Sequence, residues 1–95
     1  MTLIILAQIT AATGKEALVQ RELEKLVPIT RGEAGCQQYD LHLDNDKPGF
    51  FMFIEKWESR ALWQDHMNAP HLAAYGQATE GAIADFALNE MTQIA

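Results

Sequence analysis

Six side chains able to do chemistry fall between positions 55 and 75: Glu55, Trp57, Trp63, His66, His71 and Tyr75. An imidazole changes charge near neutral pH, so His66 or His71 on the apolar side of a short helix suits a general base or acid. The same placement suits a partly buried histidine that hydrogen-bonds a backbone carbonyl, and residue type alone leaves both readings open. Glu55 lies between Phe53 and Trp57 on one strand face. A carboxylate there needs a partner or a raised pKa, which fits either a general base or a structural pairing. Trp57, Trp63 and Tyr39 have the flat apolar area to line a pocket and stack an aromatic ligand, and equally to fill a core. Tyr75 offers a ring that packs and a hydroxyl that donates.

Other chemistries lack their residues. The chain has no Walker loop, no Gly-rich dinucleotide turn, no CxxC pair and no HExxH helix, so no cofactor is expected. His66 and His71 are five apart with Pro70 between them, not the i, i+4 pair with which one helix binds an ion, so no metal site is expected. Cys36 is the one cysteine. It has no partner for an internal disulfide and no sequence-local group to lower its pKa, which points to a reducing, cytoplasmic setting rather than a nucleophile. The Asp44-Asn45-Asp46 run lacks the spacing and distal Glu of a calcium loop and reads as turn chemistry.

Lys and Arg number 7 against 13 Asp and Glu, a formal charge of −6. An acidic chain without a basic run is a poor fit for nucleic acid. The apolar run Leu3 to Ala7 is far short of the about 20 residues a membrane span needs, and no basic segment precedes it as in a signal peptide. With 95 residues, 48% hydrophobic and 21% charged, the chain reads as one globular domain, residues 1–95.

The elements that must position these groups follow from hydrophobic period. Thr2 to Thr10 is β-branched and apolar without clean alternation, as in a central strand covered on both faces. Thr13-Gly14-Lys15-Glu16 matches a capping box, with Thr13 as N-cap. Leu18, Val19, Leu23, Leu26 and Val27 then recur at helical steps until Pro28, which should kink or tighten the last turns. Cys36 to Leu43 reads as a strand with Tyr39, Leu41 and Leu43 on one face and Cys36, Gln38, Asp40 and His42 on the other. The turn-rich 44–49 segment joins it to a strand from Phe50 to Glu58. There Phe51, Phe53, Glu55 and Trp57 oppose Phe50, Met52, Ile54 and Lys56. Ser59 caps a helix through Met67, and Pro70 starts another. Phe86 to Ile94 reads as the last strand, with Ala82 to Ala84 open to either the helix or the strand. The order is the α+β, ferredoxin-like split βαβ with a four-stranded antiparallel sheet. Strands apolar on both faces call for helices on one side and a second subunit on the other, hence a homodimer.

Three segments carry a family resemblance: Glu33-Ala34-Gly35-Cys36-Gln37-Gln38-Tyr39, Phe53-Ile54-Glu55-Lys56-Trp57-Glu58-Ser59 and His66-Met67-Asn68-Ala69-Pro70-His71. In this order they resemble the antibiotic biosynthesis monooxygenase domain, over nearly the whole chain. The resemblance implies a dimeric α+β barrel with a pocket between sheet and helices in each subunit. It implies oxygenation of a small aromatic quinol or anthrone by O2 with no metal, flavin or other cofactor. On that reading His66 or His71 is the base, Tyr75 or Tyr39 holds the oxyanion, Trp57 and Trp63 hold the ring, and Glu55 belongs to the substrate site. The haem-degrading branch resembles a pattern with Asn on the first strand and a ligating His on the last helix; here the first strand has no Asn, and Ala74-Tyr75-Gly76 stand near where that His would fall. The alternatives are an isomerase of the same superfamily and a non-catalytic dimeric module that binds a small molecule or serves a stress response.

Overall fold

The computed structural model describes residues 2–95. Its elements are β1 (Leu3–Ala11), α1 (Glu16–Arg31), β2 (Cys36–Leu43), β3 (Phe50–Trp57), α2 (Arg60–Met67), α3 (Pro70–Ala78) and β4 (Ile83–Met91). The strands form one antiparallel sheet in the order β2-β3-β1-β4. This is the ferredoxin-like α+β architecture, with β1 and β3 central. Among the described residues no helix is long and apolar enough to cross a membrane.

Alternation on the central strands separates two faces. Ile5, Ala7, Ile9 and Ala11 of β1 and Phe51, Phe53, Glu55 and Trp57 of β3 are buried. They meet Val19, Leu23 and Leu26 of α1 and Trp63 of α2 in one core. Ile4, Leu6, Phe50, Met52 and Ile54 point the other way and stay partly exposed. The β2–β3 turn is held by Asp44, whose Oδ1 accepts the backbone N–H groups of Asp46 and Lys47 at 2.8 and 2.9 Å.

Four local expectations change. Thr13 is not an N-cap: α1 starts at Glu16 after Lys15, with no side-chain cap. The Glu16 carboxylate accepts the Gly14 N–H at 2.9 Å, not the Thr13 N–H, so neither half of the expected reciprocal box forms. Ser59 does cap α2, its Oγ accepting the Leu62 N–H at 3.2 Å. Cys36 sits on the helix-covered face, not with Gln38. A bulge between Cys36 and Gln38 pairs Cys36 with Trp57 and Tyr39 with Glu55, and the extra residue flips everything before it. The third change is in α1, which continues through Pro28 to Arg31. That puts Thr30 on the buried stripe after Val19, Leu23 and Leu26. Finally, β4 runs three residues earlier than expected at both ends. Gly81, at φ +76°, takes the left-handed turn after α3 and releases Ile83 to pair with Ala11.

Candidate active site

Three separate elements converge at one end of the helix-covered face. The connection from α1 to β2 supplies Glu33, α2 supplies His66 and α3 supplies His71. Gly35, at φ +83°, lets that connection press against α2, where a Cβ would lie 2.5 Å from Leu62 Cδ1. A side chain there would push Glu33 and α2 apart. With glycine in place, Glu33 Oε1 lies 2.8 Å from His66 Nδ1 and 2.8 Å from His71 Nε2. Thr30 Oγ1, fully buried on α1, lies 3.1 Å from the same His71 nitrogen.

His66 is 2% exposed. Its ring is held between Trp57, at 4.8 Å centroid to centroid, and the edge of Tyr39, at 5.4 Å. Burial pulls its pKa below the usual histidine value, while the Glu33 hydrogen bond and charge pull the other way. Burial prevails, so the imidazole is neutral at pH 7. In the tautomer that donates Nδ1–H to Glu33, Nε2 carries a free lone pair. Among the described residues Nε2 has no hydrogen-bond partner.

The second carboxylate behaves differently. Glu55 is 3% exposed and accepts the Trp57 Nε1–H at 2.9 Å. Burial pushes its pKa up to about 7; the Trp57 hydrogen bond opposes this and the Glu33 charge adds to it. Tyr39 is pushed well above the usual phenol value by burial and by the Glu55 charge, so its hydroxyl keeps its proton and can donate. Burial also raises Tyr75, opposed by Thr79, and burial raises the Cys36 thiol, which stays protonated near neutral pH.

A narrow cleft of about 50 Å³ opens here between sheet and helices. Tyr39, Glu55, His66 and Tyr75 line it among Ala7, Ile9, Phe53, Leu72 and Leu88, with Met67 and Phe86 at its exposed rim. His71, Trp57 and Trp63 do not line it. His71 sits behind His66 on Glu33, and Trp57 braces the His66 ring. Trp63 is buried in α2 with its Nε1 unpaired. The cleft therefore joins four of the seven sequence candidates, and a fifth and sixth support them from behind.

Glu33 and Thr30 are the groups that sequence reasoning missed. Thr30 follows from continuing the 3–4 stepping past Pro28. Glu33 has no periodic signal, because its partners lie 33 and 38 positions away on other elements; its one mark in the sequence is that it opens the first of the three family-like segments. The i, i+4 criterion for a shared ion does not apply either, because the two histidines occupy different helices.

The chain is similar to known proteins in sequence and in fold. "Probable quinol monooxygenase YgiN" of Escherichia coli K12 is 30% identical over 91 residues, which is 85% of this chain and 88% of that protein. The crystal structure of PA3566 from Pseudomonas aeruginosa superposes with a TM-score of 0.95 at 35% identity, covering 99% of this chain and 95% of that one. SO0527 from Shewanella oneidensis superposes at 0.91 with 27% identity, covering 97% and 90%. The family model described as antibiotic biosynthesis monooxygenase matches residues 2–78, a span that holds Glu33, Tyr39, Glu55, His66, His71 and Tyr75. By sequence and by fold, the chain belongs to the antibiotic biosynthesis monooxygenase family.

Proposed function

We propose that the protein is a monooxygenase that oxidises a small electron-rich aromatic, of the anthrone or quinol type, with O2 and no cofactor. Family membership supports the reaction class. The observation that carries the residue assignment is the buried, neutral His66, held through Nδ1 by Glu33 at 2.8 Å in an apolar cleft. O2 is a ground-state triplet and reacts slowly with closed-shell molecules. A deprotonated anthrone overcomes this by giving O2 one electron. His66 Nε2 takes the substrate proton, with Glu33 stabilising the imidazolium that forms. The radical pair combines into a peroxide anion, which takes the proton back from the His66 imidazolium; the resulting hydroperoxide loses water to leave the ketone, so that anthrone plus O2 gives anthraquinone plus water. Tyr39, and Tyr75 across the cleft, donate to the developing oxyanion. Glu55 beside them sets how much negative charge the site holds.

A cleft of about 50 Å³ is well below the roughly 300 Å³ or more of a typical ligand pocket. Substrate entry therefore displaces the rim at Met67 and Phe86. The sheet face opposite the cleft is the surface we assign to a second copy, making a homodimer, and the unpaired Cys36 suits the cytoplasm. The test is O2 uptake by purified protein with chelator present, on a panel of anthrones and quinols, with the uncatalysed rate subtracted. Protein-dependent uptake that falls about 10²- to 10⁴-fold in His66→Ala supports the assignment. No uptake across the panel, or full uptake in the variant, overturns it.

A further inference from the structure

We propose that Glu33, His66 and His71 form a binding site for one divalent first-row transition-metal ion, typified by Zn2+, with three protein ligands and the remaining positions open. The ligand atoms are Glu33 Oε1, His66 Nδ1 and His71 Nε2, which all lie within 4.8 Å of one another. Two imidazoles and one carboxylate form a borderline donor set. It suits Zn2+, Fe2+, Co2+ or Ni2+ and does not suit Ca2+ or Mg2+, which take oxygen ligands.

The geometry is close to what an ion needs. A tetrahedral ion about 2.0–2.1 Å from each donor holds those donors roughly 3.3 Å apart. Each histidine nitrogen now sits 2.8 Å from the shared Glu33 oxygen. An ion needs each Glu33 contact to open by about half an ångström and the two histidine nitrogens, within 4.8 Å of each other, to draw together to roughly 3.3 Å, a movement that falls to His71. Glu33 can make the first adjustment, since its side chain is flexible and 20% exposed. His66 cannot move far between Trp57 and Tyr39, so the site is anchored at one ligand and adjustable at another. His71 and Glu33 reach solvent and give the ion its way in. Thr30 Oγ1 lies 3.1 Å from the same His71 nitrogen, a hydrogen bond that an ion on that nitrogen replaces. The overall charge of −6 favours approach of a cation.

One consequence rests on the proposed function. With an ion on Nδ1, neutral His66 carries its proton on Nε2 and no longer accepts one from a substrate. Metal loading and base catalysis then exclude each other, and the ion is an inhibitor of the reaction.

Calorimetric titration of chelator-treated full-length protein with Zn2+ tests the site without reference to turnover. The expected result is one ion per chain with a Kd on the order of 10⁻⁶ M or tighter. Glu33→Gln and His71→Gln should each weaken binding by at least about 100-fold, while His42→Ala, an exposed histidine elsewhere on the sheet, leaves it unchanged. Imidazole 15N spectra of the unaltered protein give a readout that needs no variant: Zn2+ should shift His66 Nδ1 and His71 Nε2 and leave His42 in place. No saturable binding overturns the proposal. So does binding that survives both substitutions, or 15N shifts confined to His42. Saturable Zn2+ binding by a protein whose metal-free form takes up no O2 across the substrate panel would overturn the functional reading and leave the metal site standing.

Discussion

Glu55 and Ile54 are neighbours on one strand, and each is out of place by polarity. Glu55 points into the helix-covered core at 3% exposure. Ile54 points to the face that no described element covers and stays partly exposed. The difference extends across the sheet. The covered face encloses Glu55, His66, Tyr39 and Thr30, groups that are costly to bury. The open face carries Ile4, Leu6, Phe50, Met52 and Ile54, groups that are costly to leave in water. On the reading proposed above, the buried polar groups belong to the reaction site and the uncovered apolar groups to the surface of a second copy. One alternating pattern encodes both, because successive residues on a strand serve opposite faces.

The largest test of that contrast acts on the open face. Ile54 pairs in register with Leu6, so Ile54→Asp places a carboxylate at the centre of the apolar surface. Light scattering at micromolar concentration should show a dimer for the unaltered protein and a monomer for the variant. Desolvating an unpaired charge at an interface should weaken association by about 10³-fold or more. A monomeric parent, or a variant that stays dimeric, would break the comparison on this side.

A smaller effect belongs to the covered face. The ordinary glutamate pKa is 4.5, and burial in the fold raises that of Glu55 to about 7. The folded state therefore binds this proton more tightly than the unfolded chain does. Its contribution to stability is greatest below pH 4.5, declines as pH rises to about 7, and is constant above that. The difference is about 3 kcal/mol. Glu55→Gln keeps an acceptor for the Trp57 N–H and abolishes the slope. Urea unfolding across pH 4 to 8 should therefore show the variant gaining on the parent by about 3 kcal/mol as pH rises. Parallel profiles would mean that Glu55 is not desolvated as described.

How much of this was legible in the sequence divides along the same line. The strand faces, the hairpin, the Ser59 cap and the helix start at Pro70 follow from period and turn chemistry, because each is decided within a few residues. The family resemblance followed from short motifs in order. The Cys36 face was misread because a bulge adds one residue without any mark in composition, and β4 was misplaced because Ala82 to Ala84 suit either state until Gly81 turns the chain. Four of the candidate residues singled out by type line the cleft. The division of labour was not legible: Trp57 braces a ring instead of lining the cleft, and Glu33 unites two helices across long sequence separations. Such contacts are fixed by packing between elements, and hydrophobic period does not encode them.

The central claim is that His66 is a neutral base in waiting, donating through Nδ1 to Glu33 and free at Nε2. The most direct measurement is the 15N imidazole spectrum of metal-free protein at pH 7. The account predicts a neutral His66 with its proton on Nδ1, and loss of that tautomer preference in Glu33→Gln. An imidazolium at pH 7, or a proton resident on Nε2, would contradict it.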